Sequence, residues 1–115
     1  MKYRIVFATL WLILLPITAF SYSKNTETGR LLTGKVTDKS GQPLRDAVIY
    51  LTNTRTKAIK TYIVGQDGVF RFPGLSMSVD YEVFAQYKGH KSDTKTVSQF
   101  DNRQQVTINL QIDAT

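Results

Sequence analysis

Residues 34–53 read GKVTDKSGQPLRDAVIYLTN, a short β-prone run, a turn and a second β-prone run, and the fold follows from how these three parts are read. Extended one turn upstream, the first run is LLTGKVT. Side chains alternate across a strand, so Leu32, Gly34 and Val36 share one face. Asp38 to Pro43 closes the run, because Gly41 supplies a positive φ and Pro43 has no N–H with which to extend a ladder. In DAVIYLTN the same alternation puts Ala47, Ile49 and Leu51 on a core face and Val48, Tyr50 and Thr52 on the other. Nothing in this stretch repeats with a helical period.

The pattern continues towards the C-terminus. Asn53-Thr54-Arg55 is a polar connection to the run AIKTYIV, which ends in Gly65-Gln66-Asp67-Gly68 before Val69-Phe70-Arg71-Phe72. Asp-Gly between two apolar β runs predicts a hairpin. Pro73-Gly74-Leu75 ends that strand, with Leu75 turned back under the core. In YEVFAQYK, Tyr81, Val83, Ala85 and Tyr87 face one way and Glu82, Phe84, Gln86 and Lys88 the other. Gly89-His90 turns the chain into KSDTKTVS, an edge strand whose charges discourage pairing with other molecules. Ser98 to Gln104 is a loop anchored by Phe100. In QVTINLQI, Val106, Ile108, Leu110 and Ile112 point inward and Thr107, Asn109 and Gln111 outward. Short strands separated by turn signals at intervals of about ten residues predict an all-β fold, a seven-stranded antiparallel Greek-key β-sandwich.

Upstream, Lys2 and Arg4 precede an apolar run from Ile5 to Phe20, followed by small residues, which is the order of a cleaved secretory signal peptide over residues 1–21. A membrane anchor is the competing reading. It is disfavoured because the run is shorter than the roughly 20 residues a spanning helix needs and Pro16 interrupts it. Residues 22–30 read as a polar, flexible tail and residues 31–115 as the domain. The expected location is outside the cytoplasm, periplasmic or extracellular, with no stable membrane insertion. The chain has no cysteine, so neither a disulfide nor a lipidated thiol contributes, and stability rests on packing. The absence of thiols also excludes thiol catalysis, iron–sulfur clusters and thiolate zinc sites. Net charge is +6, or +4 once Lys2 and Arg4 are subtracted with the leader. The cations are dispersed, which argues against a nucleic-acid partner.

The strings GKVTDKSGQPLRDAVIYLTN, DGVFRFPGL and DYEVFAQYKGHKS resemble the carboxypeptidase regulatory-like domain, a transthyretin-like (prealbumin-like) β-sandwich. The shared positions are turns and core, and the resemblance implies a non-catalytic accessory module, usually attached to a larger secreted or outer-membrane protein. Two relatives of that fold can be compared residue by residue. Cna B-type adhesin domains join a lysine to an asparagine with the help of a buried acid. Lys35 and Asn109 match the first two, but the acid falls near Ala85 or Gln86. Transthyretin-like hydrolases of purine metabolism use clustered histidines, and this chain has only His90.

No cofactor is implied. His90 lies in a lysine-flanked turn with no nucleophile or orienting acid spaced with it. Asp38, Asp67, Asp80, Asp93 and Asp101 sit at turns or strand ends, where aspartate bonds the backbone; calcium binding would need a denser acidic loop. The candidate binding residues are Val48, Tyr50 and Phe84, apolar side chains directed away from the core. They form either a patch for a sugar ring or protein partner, or scattered hydrophobics packed under loops. The expected function is a secreted, non-enzymatic interaction or structural module that takes a protein or glycan partner through a sheet face or edge strand. The alternative is a carbohydrate-binding module with a starch-binding-like fold.

Overall fold

The computed structural model describes residues 29–114. The expected leader, and the expected tail as far as residue 28, lie outside the described residues. Nine strands follow in chain order: β1 (Arg30–Asp38), β2 (Val48–Asn53), β3 (Ile59–Ile63), β4 (Val69–Leu75), β5 (Tyr81–Tyr87), β6 (His90–Lys91), β7 (Lys95–Val97), β8 (Gln105–Thr107) and β9 (Leu110–Ile112). They form two sheets. In the first, β1 is central, with β4 on one side and β8 and β9 on the other; in the second the order is β3, β2, β5, then β6 and β7. Among the described residues no helix is long and apolar enough to cross a membrane.

The core lies between the sheets. Leu32 and Val36 from β1, Phe70 and Phe72 from β4, and Val106, Leu110 and Ile112 from the last strands face Ile49, Leu51, Val83, Ala85 and Val97, all buried. Alternation assigned those of β1, β2, β5 and the last strands, while Phe70, Phe72 and Val97 are added by the structure. Each large aliphatic or aromatic side chain buried in this way contributes roughly 1.5–3 kcal/mol, which is how a sandwich without disulfides holds together.

Connectivity differs from the sequence reading in four places. Gly65 to Gly68 is not a hairpin loop, for β3 pairs with β2 and β4 pairs with β1. The Asp-Gly turn, closed by the Gly68 N–H donating to the Gly65 carbonyl at 3.0 Å, instead carries the chain from one sheet to the other. Pro73 does not end its strand. β4 is an edge, the proline's missing donor falls on the open side, and a register shift opposite Arg30 to Leu32 lets the strand run on to Leu75. The stretch expected as one edge strand after Gly89 begins at His90 and is split into β6 and β7. Their registers on β5 differ by one residue, a bulge in which the Ser92 hydroxyl accepts the Ala85 N–H at 2.8 Å. Finally, the last strand runs parallel to β1 and is interrupted at Ile108-Asn109. These two interruptions turn seven strands into nine.

The last interruption has a steric cause. A Cβ on Gly34 would stand 1.7 Å from the Ile108 carbonyl oxygen and 2.7 Å from Phe70 Cζ. Ile108 thus turns its carbonyl over β1, and the Lys35 N–H donates to the Asn109 side-chain oxygen at 3.1 Å instead of to a ladder carbonyl. Register is the same on both sides of the gap, Leu32 opposite Val106 and Val36 opposite Leu110, so the side chain patches the ladder without shifting it.

Two further expectations change at the rim. Arg30, expected in the flexible tail, is fully buried at the start of β1. Its guanidinium donates to the carbonyls of Ser98 (2.8 Å) and Asp101. Phe100, expected to anchor the 98–104 loop, is 87% exposed. Hydrogen bonds replace it as the anchor, from Arg30 and from the Gln99 N–H to the Asp80 carboxylate at 2.7 Å.

Gly34→Ala should destabilise the domain by about 3 kcal/mol or more, or leave it insoluble, because a backbone atom must move; Gly65→Ala, with nothing nearer than 4.0 Å, should cost under about 1 kcal/mol. Urea melts of the two variants beside the parent measure the difference. Arg30→Met should cost about 1–3 kcal/mol by removing both guanidinium bonds to the part-buried Ser98 and Asp101 carbonyls, of which Ser98 keeps the Asp101 N–H, and amide exchange at Gln99 to Arg103 should accelerate.

Candidate functional site

The three residues singled out in sequence meet on the outer face of the second sheet. Residues directly opposite in a sheet share a face, so the registers of β2 assemble rows across it. Ile63, Val48, Gln86 and Lys91 form one row, Thr61, Tyr50 and Phe84 the next, and Ile59, Thr52, Glu82 and Thr96 the third. Tyr50 and Phe84 stack with ring centroids 5.0 Å apart and planes 14° apart. Lys91 Nζ lies 4.3 Å over the Phe84 ring. Because β2 and β6 flank β5 on opposite sides, Phe84 is enclosed between Tyr50 and the lysine.

The aliphatic members of the face are far more open. Ile59 is 62% and Ile63 67% exposed, while Val48, Tyr50 and Phe84 are each half-buried. Sequence reasoning missed the two isoleucines, although their spacing in AIKTYIV was a usable signal. Ile63 and Val64 are both apolar, so either parity of the run could have faced the core; Val64 is the one buried. The outer face of the first sheet offers a contrast. It carries Thr33, Lys35, Thr37, Arg71, Thr107, Asn109 and Gln111, with Val69 its one exposed large hydrophobic. The first sheet's outer face, with half-buried Leu31 and exposed Val69 as its large aliphatic side chains, is therefore the more polar, while the three rows of the second carry five apolar side chains among six polar ones.

Several carboxylates elsewhere are occupied locally. Asp38 Oδ1 accepts the N–H groups of Ser40 and Gln42 and the Ser40 hydroxyl, which hold its carboxyl below the ordinary range. Asp67 accepts the Val69 N–H at 3.1 Å. Arg103 clamps Asp101 from its side chain and its N–H, driving that carboxyl well below the usual carboxylate range. His90 is exposed and pairs with Tyr87 across the turn. Asn109 meets Lys35 through the lysine's backbone, both side chains are exposed, and the two positions expected for a crosslinking acid hold the buried Ala85 and the exposed Gln86. A cleft of about 350 Å³ between the sheet ends is lined by Lys39, Lys91, Lys95, Asp93 and Asp113, with Lys39 and Asp113 paired at 3.1 Å. Among the described residues no three histidine, aspartate or glutamate side chains converge.

Similar solved structures share the fold across low identity. The major pilin subunit of Bacillus cereus (its D312A variant) matches with a TM-score of 0.59 and 17% identity over 75% of this chain and 30% of the pilin. A DUF3823 family protein from Parabacteroides merdae matches with a TM-score of 0.54 and 21% identity, over 73% of this chain and 45% of that one. Catechol 1,2-dioxygenase from Acinetobacter matches with a TM-score of 0.54 and 12% identity, over 78% of this chain and 54% of the enzyme. The chain thus spans about a third to a half of these proteins, and what it shares with the dioxygenase is this portion of the fold. No curated protein matches in sequence. The sequence model of the carboxypeptidase regulatory-like domain, a regulatory-like rather than catalytic family, matches residues 32–113, from the first buried leucine of β1 to the end of β9. The chain belongs to the carboxypeptidase regulatory-like domain family.

Proposed function

We propose that this chain is a non-enzymatic interaction module, working at the cell envelope or outside the cell, that docks a protein partner on the outer face of its second sheet. The observation that supports this reading is the difference between the two outer faces. Single exposed hydrophobics need no explanation, but five apolar side chains from three adjacent strands form a contiguous patch. Ile59 and Ile63 supply its open aliphatic ends and Tyr50 its half-buried aromatic centre, the composition of an interface core with a polar rim at Glu82, Gln86 and Lys91.

The carbohydrate reading draws on the same Tyr50 and Phe84 pair and is less well supported. A sugar stacks on a free ring face, and Phe84 has given its faces to Tyr50 and Lys91. The polar cleft beside Lys91 keeps a glycan contact within reach of the patch, so the test includes it.

A partner recovered with the parent protein from envelope or culture fractions should bind Ile63→Asp and Tyr50→Ala at least about tenfold more weakly by calorimetry, with Phe100→Ala unchanged. Equal affinity for the parent and Ile63→Asp would sink the face-docking reading. Binding of the parent to a glycan array, lost in Tyr50→Ala, would replace it with the carbohydrate reading.

A further inference from the structure

We infer that β3 is a self-pairing edge, on which a second copy of this chain docks antiparallel about a two-fold axis through Thr61. This goes beyond the face-docking reading, since it uses the strand's open backbone edge, and its occupant is a second copy of this chain. Among the described residues β3 ends its sheet and pairs only with β2, and all five of its residues are exposed. Its ladder directions follow from the flanking bonds, in which the Asn53 N–H donates to the Ala58 carbonyl and the Val64 N–H to the Ala47 carbonyl. Direction alternates along a strand, so Lys60 and Tyr62 turn their backbone groups to β2 while Ile59, Thr61 and Ile63 turn theirs outward.

The other sheet edges are blunted and this one is not. β4 carries Pro73 on its open side, β6 and β7 are split by the bulge at Ser92, and β8 and β9 are interrupted at Ile108-Asn109. These are devices that keep edges from pairing with other chains. β3 has no proline, and its register on β2 is unbroken from Ile59 to Ile63.

The sequence of β3, Ile-Lys-Thr-Tyr-Ile, is complementary to itself reversed. A two-fold axis at Thr61 sets Ile59 opposite the second copy's Ile63, Thr61 opposite Thr61, and Lys60 opposite Tyr62. Aliphatic, threonine and cation–aromatic pairs are all favourable across strands, and no like charges meet. Sliding the register one way sets Lys60 against Lys60; sliding it the other runs Ile59 off the strand against Gly65. All three outward residues would exchange ladder hydrogen bonds, and the apolar outer faces of two copies would join into one. Five-residue edges bury little surface, so the dimer is weak and forms as concentration rises.

Sedimentation velocity on the purified chain, from low micromolar to submillimolar concentration, should show a shift from monomer towards dimer. Thr61→Lys, which opposes like charges on the axis of an exposed strand, should remain folded by circular dichroism and stay monomeric. The chain has no cysteine, so single substitutions report contacts directly. In oxidised glutathione Thr61→Cys should give a disulfide-linked dimer, since paired Cα atoms there lie about 5.5 Å apart, and Ile63→Cys, whose opposite neighbour is Ile59, should not. A parent that stays monomeric at every concentration, a dimeric Thr61→Lys, or faster crosslinking through position 63 than 61 overturns the inference. Partner binding by the outer face is measured separately with the Tyr50→Ala variant, whose substitution lies on β2 and outside the β3 pairing, so either idea can fail without the other.

Discussion

At Gly34 the carbonyl of Ile108 occupies the space where any other residue would begin its side chain. The rest of the sandwich depends on that crossing. β1 is the only strand with partners on both sides in the first sheet, and it holds β4 by antiparallel and the last strands by parallel pairing. The Ile108 carbonyl cannot both lie over Gly34 and accept the Lys35 N–H, so the Asn109 side chain takes that donor. The Asn109 side chain thus has a structural duty, while Lys35 takes part through its backbone N–H. Were the ladder unrepaired, a backbone donor at the centre of the sheet would lack a partner, a cost comparable to losing a hydrogen bond outright.

A domain without disulfides must also secure its long connections, and it does so with polar groups. The 98–104 loop has one large apolar side chain, Phe100, and leaves it in solvent. A buried guanidinium reaches the loop's carbonyls from beneath and the Asp80 carboxylate takes an N–H from the side. Arginine suits this task because it stays protonated and offers several donors in a fixed fork. The same logic recurs at Tyr81, whose ring is buried while its hydroxyl accepts the Ser76 N–H at 2.9 Å. The 98–104 loop is thus set by hydrogen-bond geometry, while the buried Leu44 and Val79 tie other connections into the apolar core.

That division explains which parts were legible in the sequence. Alternation identified the inward residues of β1, β2, β5 and the last strands, because burying one face is a property each strand displays by itself. Pairing is a property of two strands, and it was not legible: Asp67-Gly68 has the composition of a hairpin turn, yet composition cannot say whether the chain after it rejoins its neighbour or crosses to the other sheet. The parallel last strand and the bulge at Ser92 were hidden for the same reason. Arg30 was misassigned because a charged residue beside a polar tail looks solvated until the carbonyls it serves are brought to it. At the candidate site, alternation found Val48, Tyr50 and Phe84. Only register could show that they are neighbours, or add Ile59 and Ile63 from an edge strand exposed on both faces.

The placement of polar and apolar surface follows from the same topology. The first sheet carries the close crossing at Gly34, and on its outer face the Thr33 and Asn109 side chains bond the backbone, to the Phe70 carbonyl and the Lys35 N–H. The second sheet has no such crossing, and its ladder from β3 to β5 is unbroken, so its outer side chains have no repair work. They are free to be chosen for what they meet outside the domain. An aromatic pair already satisfied by its own stacking and by Lys91 forms a stiff centre that loses little entropy on contact, and the isoleucines beside it are the side chains with most surface left to bury. Under the proposed docking, binding energy would therefore concentrate at the β3 side of the face, beside the edge that β3 leaves open among the described residues.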